Sequence, residues 1–98
     1  MLKTRVVDRG LYLFDEPEAA LSFTSCLGLI ALLAQLPGEG SQAIVATHSP
    51  LIAATPEATL IEMGEWGMRK RRYEDLELVR SWLEFLEAPE RYLKYLVP

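Results

Sequence analysis

Two short apolar runs, each ending abruptly in polar residues and a proline, dominate the first half of the chain. The first is LYLFDEP at residues 11–17, and the second is IVATHSP at residues 44–50. Continuous apolar runs of this length are typical of buried parallel strands, which are covered on both faces and need not alternate. Because proline cannot donate a hydrogen bond to a strand ladder, we expect each strand to stop before it.

A helix is predicted between the two runs. Residues 25–36 are rich in Leu, Ile and Ala and are long enough for about three helical turns. Ser22, Thr24 or Ser25 is expected to cap this helix, and the PGEG sequence at residues 37–40 is expected to end it. Strand, helix, turn and strand form a βαβ unit, whose connection brings the ends of both strands to one edge of the sheet.

The second half of the sequence predicts shorter strands and helices. Residues 59–63 are expected to form a strand and residues 64–67 a tight turn, with a strand or loop at 68–73. From Glu74 onward, apolar residues recur at helical spacing until Pro89, and residues 90–96 are expected to form a second short helix. The fold class is therefore α/β, a parallel βαβ core within residues 1–73 followed by a helical extension at 74–98.

The polar residues at the two strand ends suggest phosphate chemistry. Asp15 is suited to hold Mg²⁺, directly or through water, because this hard cation favours carboxylate and water ligands. Glu16 is suited to polarise a water that attacks a γ-phosphate. His48, the single histidine of the chain, can donate to a phosphate or accept a proton from water. The predicted topology brings all three to the same edge of the sheet.

These motifs resemble those of the ABC-type ATPases. LYLFDEP resembles a Walker B element, EAALS at residues 18–22 resembles a D-loop, and ATHSP at 46–50 resembles a switch-histidine loop. The resemblance is closest to the soluble RecF/SMC-like branch of AAA-family ATPases. It implies a partial P-loop NTPase fold that binds ATP and Mg²⁺, with Asp15 as the Mg²⁺-associated acid, Glu16 as the general base and His48 as the γ-phosphate contact.

The resemblance also implies a partner subunit. By analogy with the D-loop, Ala20, Leu21 and Ser22 would contact a second ATPase subunit across a head-to-tail dimer. ABC transporters usually end this loop in aspartate, whereas this chain has Ser22.

A phosphate-binding loop is missing from the motif set. No G-x-x-x-x-G-K-[ST] sequence occurs in the 98 residues, and the family's signature helix is also absent. We therefore expect the chain to be the C-terminal half of a nucleotide-binding domain, with its start leading straight into the Walker B strand, and to bind ATP poorly by itself. The strand at 43–47 either exposes an apolar edge or pairs with residues 60–63, and an exposed edge predicts marginal solubility or dimerisation.

The sequence leaves two other functions open and excludes a third. The main alternative is a non-catalytic remnant that serves as a protein-interaction module. A metal-binding module formed by Asp15, Glu16 and His48 is less favoured than phosphate chemistry. A Ser-His hydrolase is excluded, because Ser49 precedes Pro50 without a G-x-S-x-G elbow; Ser49 is instead expected to cap a helix that Pro50 begins.

Composition narrows the class of protein. Hydrophobic residues make up 50% of the 98 residues, as expected for a globular chain. The formal net charge of −4 argues against a general nucleic-acid surface, so the RKRR run at 69–72 is interpreted as a solvated face. The single cysteine, Cys26, cannot form an internal disulfide, which fits a protein in a reducing compartment. Its position on the apolar helix predicts that its side chain packs in the core. With no apolar stretch of membrane-spanning length and no signal peptide, the expected location is cytoplasmic.

Overall fold

The computed structural model describes residues 4–8 and 10–97 and has a mixed α/β architecture. The chain divides into two compact units, Met1–Ala58 and Thr59–Pro98. The predicted boundary after residue 73 falls inside the second unit. Over the described part of the chain, no helix is both long enough and apolar enough to cross a membrane.

The first unit contains a three-stranded sheet in the order β1-β2-β3. Strand β1 (Thr4–Asp8) pairs antiparallel with β2 (Leu11–Asp15), and β3 (Gln42–Ala46) pairs parallel with β2. Both apolar runs thus form strands, as predicted. The expectation that the start of the chain leads straight into the first of these strands is wrong, because Thr4–Asp8 forms a separate strand that pairs with β2. Gly10 has a φ of 78°, the left-handed conformation that glycine adopts readily, between β1 and β2.

Helix α1 (Phe23–Gln35) connects the two parallel strands and confirms the βαβ prediction. Of the three candidate caps, Ser22 caps the helix: its hydroxyl oxygen accepts a hydrogen bond from the backbone N–H of Ser25 at 3.1 Å. A 3-10 turn at Pro37–Glu39 follows the helix, and Gly40 leaves that turn with a φ of 76°.

The core of the first unit lies between α1 and one face of the sheet. Its buried members are Phe14, Cys26, Leu29, Leu33, Leu36 and Ile52. The prediction that the strands are buried on both faces is wrong. Phe14 is the only buried residue of β2, and Ile44 on β3 is 57% exposed. Helix α1 covers only one face, and no described residue buries Ile44 on the other.

The second unit begins with a two-stranded hairpin. Strand β4 (Ile61–Gly64) pairs antiparallel with β5 (Gly67–Lys70), which confirms the tight turn between them. A Cβ at Gly64 would lie 2.7 Å from the indole ring of Trp66, so glycine lets that ring pack over the strand end. Because β4 pairs with β5 in a separate sheet, β3 has no further strand partner in the described ranges.

Helices complete the second unit. Helix α2 spans Glu77–Glu87, and α3 spans Glu90–Leu93. The prediction that α2 starts at Glu74 is wrong by three residues, because a separate 3-10 turn occupies Tyr73–Asp75. Pro89 separates the two helices, as predicted, but the second is shorter than the predicted range 90–96.

Candidate functional site

The first part of the candidate site is the end of β2. Asp15 is the last residue of that strand, and Pro17 begins a 3-10 turn over Pro17–Ala20. Glu16 links the two with a φ of 46° and a ψ of 55°, a left-handed conformation that non-glycine residues seldom adopt. Pro17 is fully buried, whereas Asp15 and Glu16 are exposed. The buried proline therefore anchors the turn, and the two carboxylates remain open to solvent.

The second part is the loop that leaves β3. Asp15 lies opposite Ala46 in the parallel register, and the backbone N–H of Glu16 donates to the carbonyl oxygen of Ala46 at 2.8 Å. Thr47 and His48 follow Ala46 directly. The backbone thus places the acidic pair and the histidine loop at one edge of the sheet, as the predicted topology required.

Glu18 connects these two parts. The sequence pattern assigned this residue no individual role. Its Oε1 accepts a hydrogen bond from the hydroxyl of Thr47 at 2.7 Å, and its Oε2 accepts one from the backbone N–H of His48 at 3.1 Å. The hydroxyl oxygen of Thr47 in turn accepts from the N–H of Ser49 at 3.0 Å. The only local signal for Glu18 was its place at the start of the D-loop-like segment.

Ser49 shapes the rest of the loop. Its hydroxyl oxygen accepts from the backbone N–H groups of Leu51 and Ile52 at 3.1 and 3.3 Å, and the residue is buried. The prediction that Ser49 caps a helix beginning at Pro50 is wrong in its element: the segment that follows is a 3-10 turn at Ile52–Ala54 whose N-cap is Leu51, and Ser49 accepts from the N–H groups at the start of that segment. A buried serine whose oxygen accepts two hydrogen bonds is poorly placed as a nucleophile, in agreement with the exclusion of a hydrolase.

The three predicted D-loop residues have different environments. Ala20 is exposed, Leu21 packs against the core of the first unit, and Ser22 caps α1. Their predicted contact with a partner subunit stays a prediction. Ser22 has a local structural role that does not require a partner.

The side chains of Asp15, Glu16 and His48 are exposed and, within the described residues, make no hydrogen bond or ion pair. In the same part of the chain, no three histidine, cysteine or acidic residues are grouped closely enough to hold a metal ion. This result gives no support to a module that binds a metal through these three residues alone. A cation at this edge would need further ligands, such as water or phosphate oxygens.

No protein-family model matches this chain, and neither the curated proteins nor the solved structures contain a significant match.

The second unit has a charged cleft of its own, with a volume of about 290 Å³. Glu62 is central to it: the carboxylate accepts from the N–H of Glu77 at 2.7 Å and forms an ion pair with Arg69 at 3.3 Å. The hydrogen bond from Glu77, reinforced by Arg69 and Arg71, lowers the pKa of Glu62 despite an opposing desolvation. Arg72 pairs with Glu74. Three of the four residues in the basic run thus contact acids of the same unit.

Proposed function

We propose that this chain contributes the Walker B acids and the switch histidine to an ABC-type ATPase domain that binds ATP and hydrolyses it with Mg²⁺. One observation carries the proposal. The parallel register of β2 and β3 places Asp15 and Glu16 beside the loop that contains His48, at the carboxyl edge where α/β sheets bind ligands.

The residues present fit Mg²⁺ and a nucleotide. The carboxylates of Asp15 and Glu16 are exposed and unpaired among the described residues, so their oxygens are available to a hydrated cation and to a water nucleophile. Asp15 would hold Mg²⁺, and Glu16 would orient the attacking water and accept its proton. His48 would donate to the γ-phosphate. When bound, Mg²⁺ would neutralise negative charge on the phosphates.

The proposed site needs elements from outside these 98 residues. A phosphate cradle requires backbone N–H groups from a glycine-rich turn, a lysine and a Ser or Thr for Mg²⁺, and the sequence has no such motif. A head-to-tail ATPase partner would supply the signature helix, with Ala20, Leu21 and Ser22 at the contact. We therefore expect this chain alone to bind Mg²⁺-ATP weakly and to show no turnover.

Backbone NMR of the purified chain tests this proposal. Millimolar Mg²⁺-ATP should shift the amide signals of Asp15, Glu16 and His48, and the shifts should require Mg²⁺. Asp15→Asn should abolish them, whereas Asp75→Asn, which removes an exposed acid of the second unit, should not. Unchanged signals at the three residues would overturn the nucleotide proposal.

A turnover assay with the Glu16→Gln variant complements the titration. Release of phosphate that disappears in this variant would confirm the role of Glu16 and would refute the expectation that the chain alone is inactive. Release that continues unchanged in the variant would refute the role of Glu16.

A second candidate function, a protein-interaction module, is favoured by the exposed side of β3. Parallel strands are normally covered on both faces, whereas Ile44 is 57% exposed on this strand. Strand β3 is also at the edge of its sheet in the described ranges, where another chain can pair with it. If this surface self-associates, sedimentation should show a concentration-dependent dimer. Ile44→Glu should then dissociate the dimer, whereas Gln42→Glu, at an exposed position on the same face of β3, should not. A wild-type monomer at all concentrations would contradict self-association.

A further inference from the structure

We propose that Glu18 is a positioning residue that fixes the backbone of His48 relative to Glu16. The inference rests on the proposed function for the significance of His48. It goes beyond that function because it assigns a role to a third acid, which would contact neither nucleotide nor metal.

The two oxygens of the Glu18 carboxylate accept hydrogen bonds from two different groups. One accepts from the side chain of Thr47 and the other from the main chain of His48, across 29 and 30 positions of sequence. Two hydrogen bonds from consecutive residues to one carboxylate fix both the position and the orientation of that peptide. Because the acceptor is a charged group, each bond is stronger than a bond between neutral groups.

The same short turn carries Glu16 and Glu18. The N–H of Ala19 donates to the carbonyl of Glu16 at 3.1 Å, and the N–H of Leu21 donates to the carbonyl of Glu18 at 3.0 Å. These bonds and the buried Pro17 hold the backbones of the two glutamates in one turn. The carboxylate of Glu18 therefore sets the spacing between the candidate base and the candidate phosphate contact.

The acceptor chemistry predicts which substitutions matter. Alanine at position 18 removes both bonds. Glutamine keeps one oxygen acceptor and replaces the other with an NH₂ donor, so it cannot accept from both Thr47 and His48. At position 47, serine retains the hydroxyl that bridges Glu18 and Ser49, whereas valine loses it.

Amide hydrogen exchange on the full chain tests the proposal. In Glu18→Ala, the N–H of His48 should exchange on the order of tenfold faster, because its acceptor is gone. The N–H of Leu33 in helix α1 should be unchanged, which separates a local effect from general destabilisation. Glu39→Ala, an exposed acid in the turn before β3, is the matched control and should leave both rates unchanged.

A rescue experiment separates positioning from general stability. Thr47→Val should accelerate exchange at Ser49, and Thr47→Ser should restore the wild-type rate. If Glu18→Ala leaves exchange at His48 unchanged, or accelerates exchange at Leu33 equally, the positioning role is wrong.

The nucleotide titration distinguishes a failure of the positioning role of Glu18 from a failure of the proposed nucleotide function. If Mg²⁺-ATP shifts His48 in the wild type, Glu18→Ala should reduce that shift, and an undiminished shift would overturn the positioning role. If Mg²⁺-ATP causes no shift but exchange at His48 depends on Glu18, the nucleotide function fails while the positioning of the loop stands.

Discussion

The carboxylate of Glu62 in strand β4 caps the first residue of helix α2, because it accepts the backbone N–H of Glu77 at 2.7 Å. The N–H groups of the first helical turn lack partners within the helix, so an acid from another element satisfies one of them. This contact joins the hairpin to α2 within the second unit, and it makes the start of that helix depend on the charge of one side chain.

The first prediction concerns pH. The pKa of Glu62 is lowered from its ordinary value of 4.5, first by the bond from Glu77 and then by Arg69 and Arg71. Its contribution to stability is therefore fully present above pH 4.5 and is lost as the pH falls below that value through the lowered pKa of the folded state. Glu62→Gln should lower the melting temperature near neutral pH, and the difference from wild type should vanish in acid. Glu65→Gln, in the exposed hairpin turn, is the control; a difference that persists in acid would contradict the assignment.

The second prediction concerns the core of the first unit. Leu29→Ala should lower the free energy of unfolding by about 2–5 kcal/mol, because it leaves a cavity between α1 and the sheet. Leu32→Ala removes a side chain of equal size from the same helix, but Leu32 is 51% exposed, so its effect should be much smaller. Urea denaturation measures both, and equal losses would show that α1 does not pack as described.

The third prediction concerns the helix cap. Ser22→Ala should lower the free energy of unfolding by about 1 kcal/mol, because the N–H of Ser25 loses its acceptor. Thr24→Ala, at an exposed position in the first turn of the same helix, lacks such a bond and should cost nothing. Denaturation midpoints that coincide for Ser22→Ala and wild type would refute the capping role.

The fourth prediction concerns Ser49. Ser49→Ala should cost about 1–3 kcal/mol of unfolding free energy, because it leaves the N–H groups of Leu51 and Ile52 without their acceptor. Thr59→Ala, at an exposed position, is a suitable control. A loss no larger than that of the control would mean that water replaces the hydroxyl at no cost.

The fifth prediction concerns the backbone at Glu16. The left-handed conformation there disfavours β-branched side chains, so Glu16→Val should destabilise the first unit by about 1–2 kcal/mol. Glu16→Asn should be tolerated, since asparagine adopts this conformation more readily. Equal stability of the two variants in thermal denaturation would show that position 16 is not strained.

The hydrophobic pattern was sufficient to predict the βαβ unit, because apolar runs and the turn at residues 37–40 are local signals. It did not predict strand β1, whose only nearby turn signal is Gly10. It also predicted burial on both faces of the parallel strands, although one helix can cover only one face and leaves Ile44 exposed.

The candidate site was predictable only in part. Asp15, Glu16 and His48 were found because they end apolar runs, and the parallel register brings their backbones together. Glu18 was given no role because its partners lie 29 and 30 residues away and no local pattern links them. The start of α2 was misplaced for a similar reason: the acid that caps it is in strand β4.

The burial of Cys26 has a practical consequence. It is the single thiol in the sequence and is only 4% exposed, within the core between α1 and the sheet. A thiol reagent can reach it only when that core opens, so the rate of chemical labelling reports the population of the open state, or the opening rate when the reagent reacts faster than the core recloses. The second unit contains no cysteine. Labelling of Cys26 therefore reports the opening of the βαβ core of the first unit and is blind to the opening of the second unit.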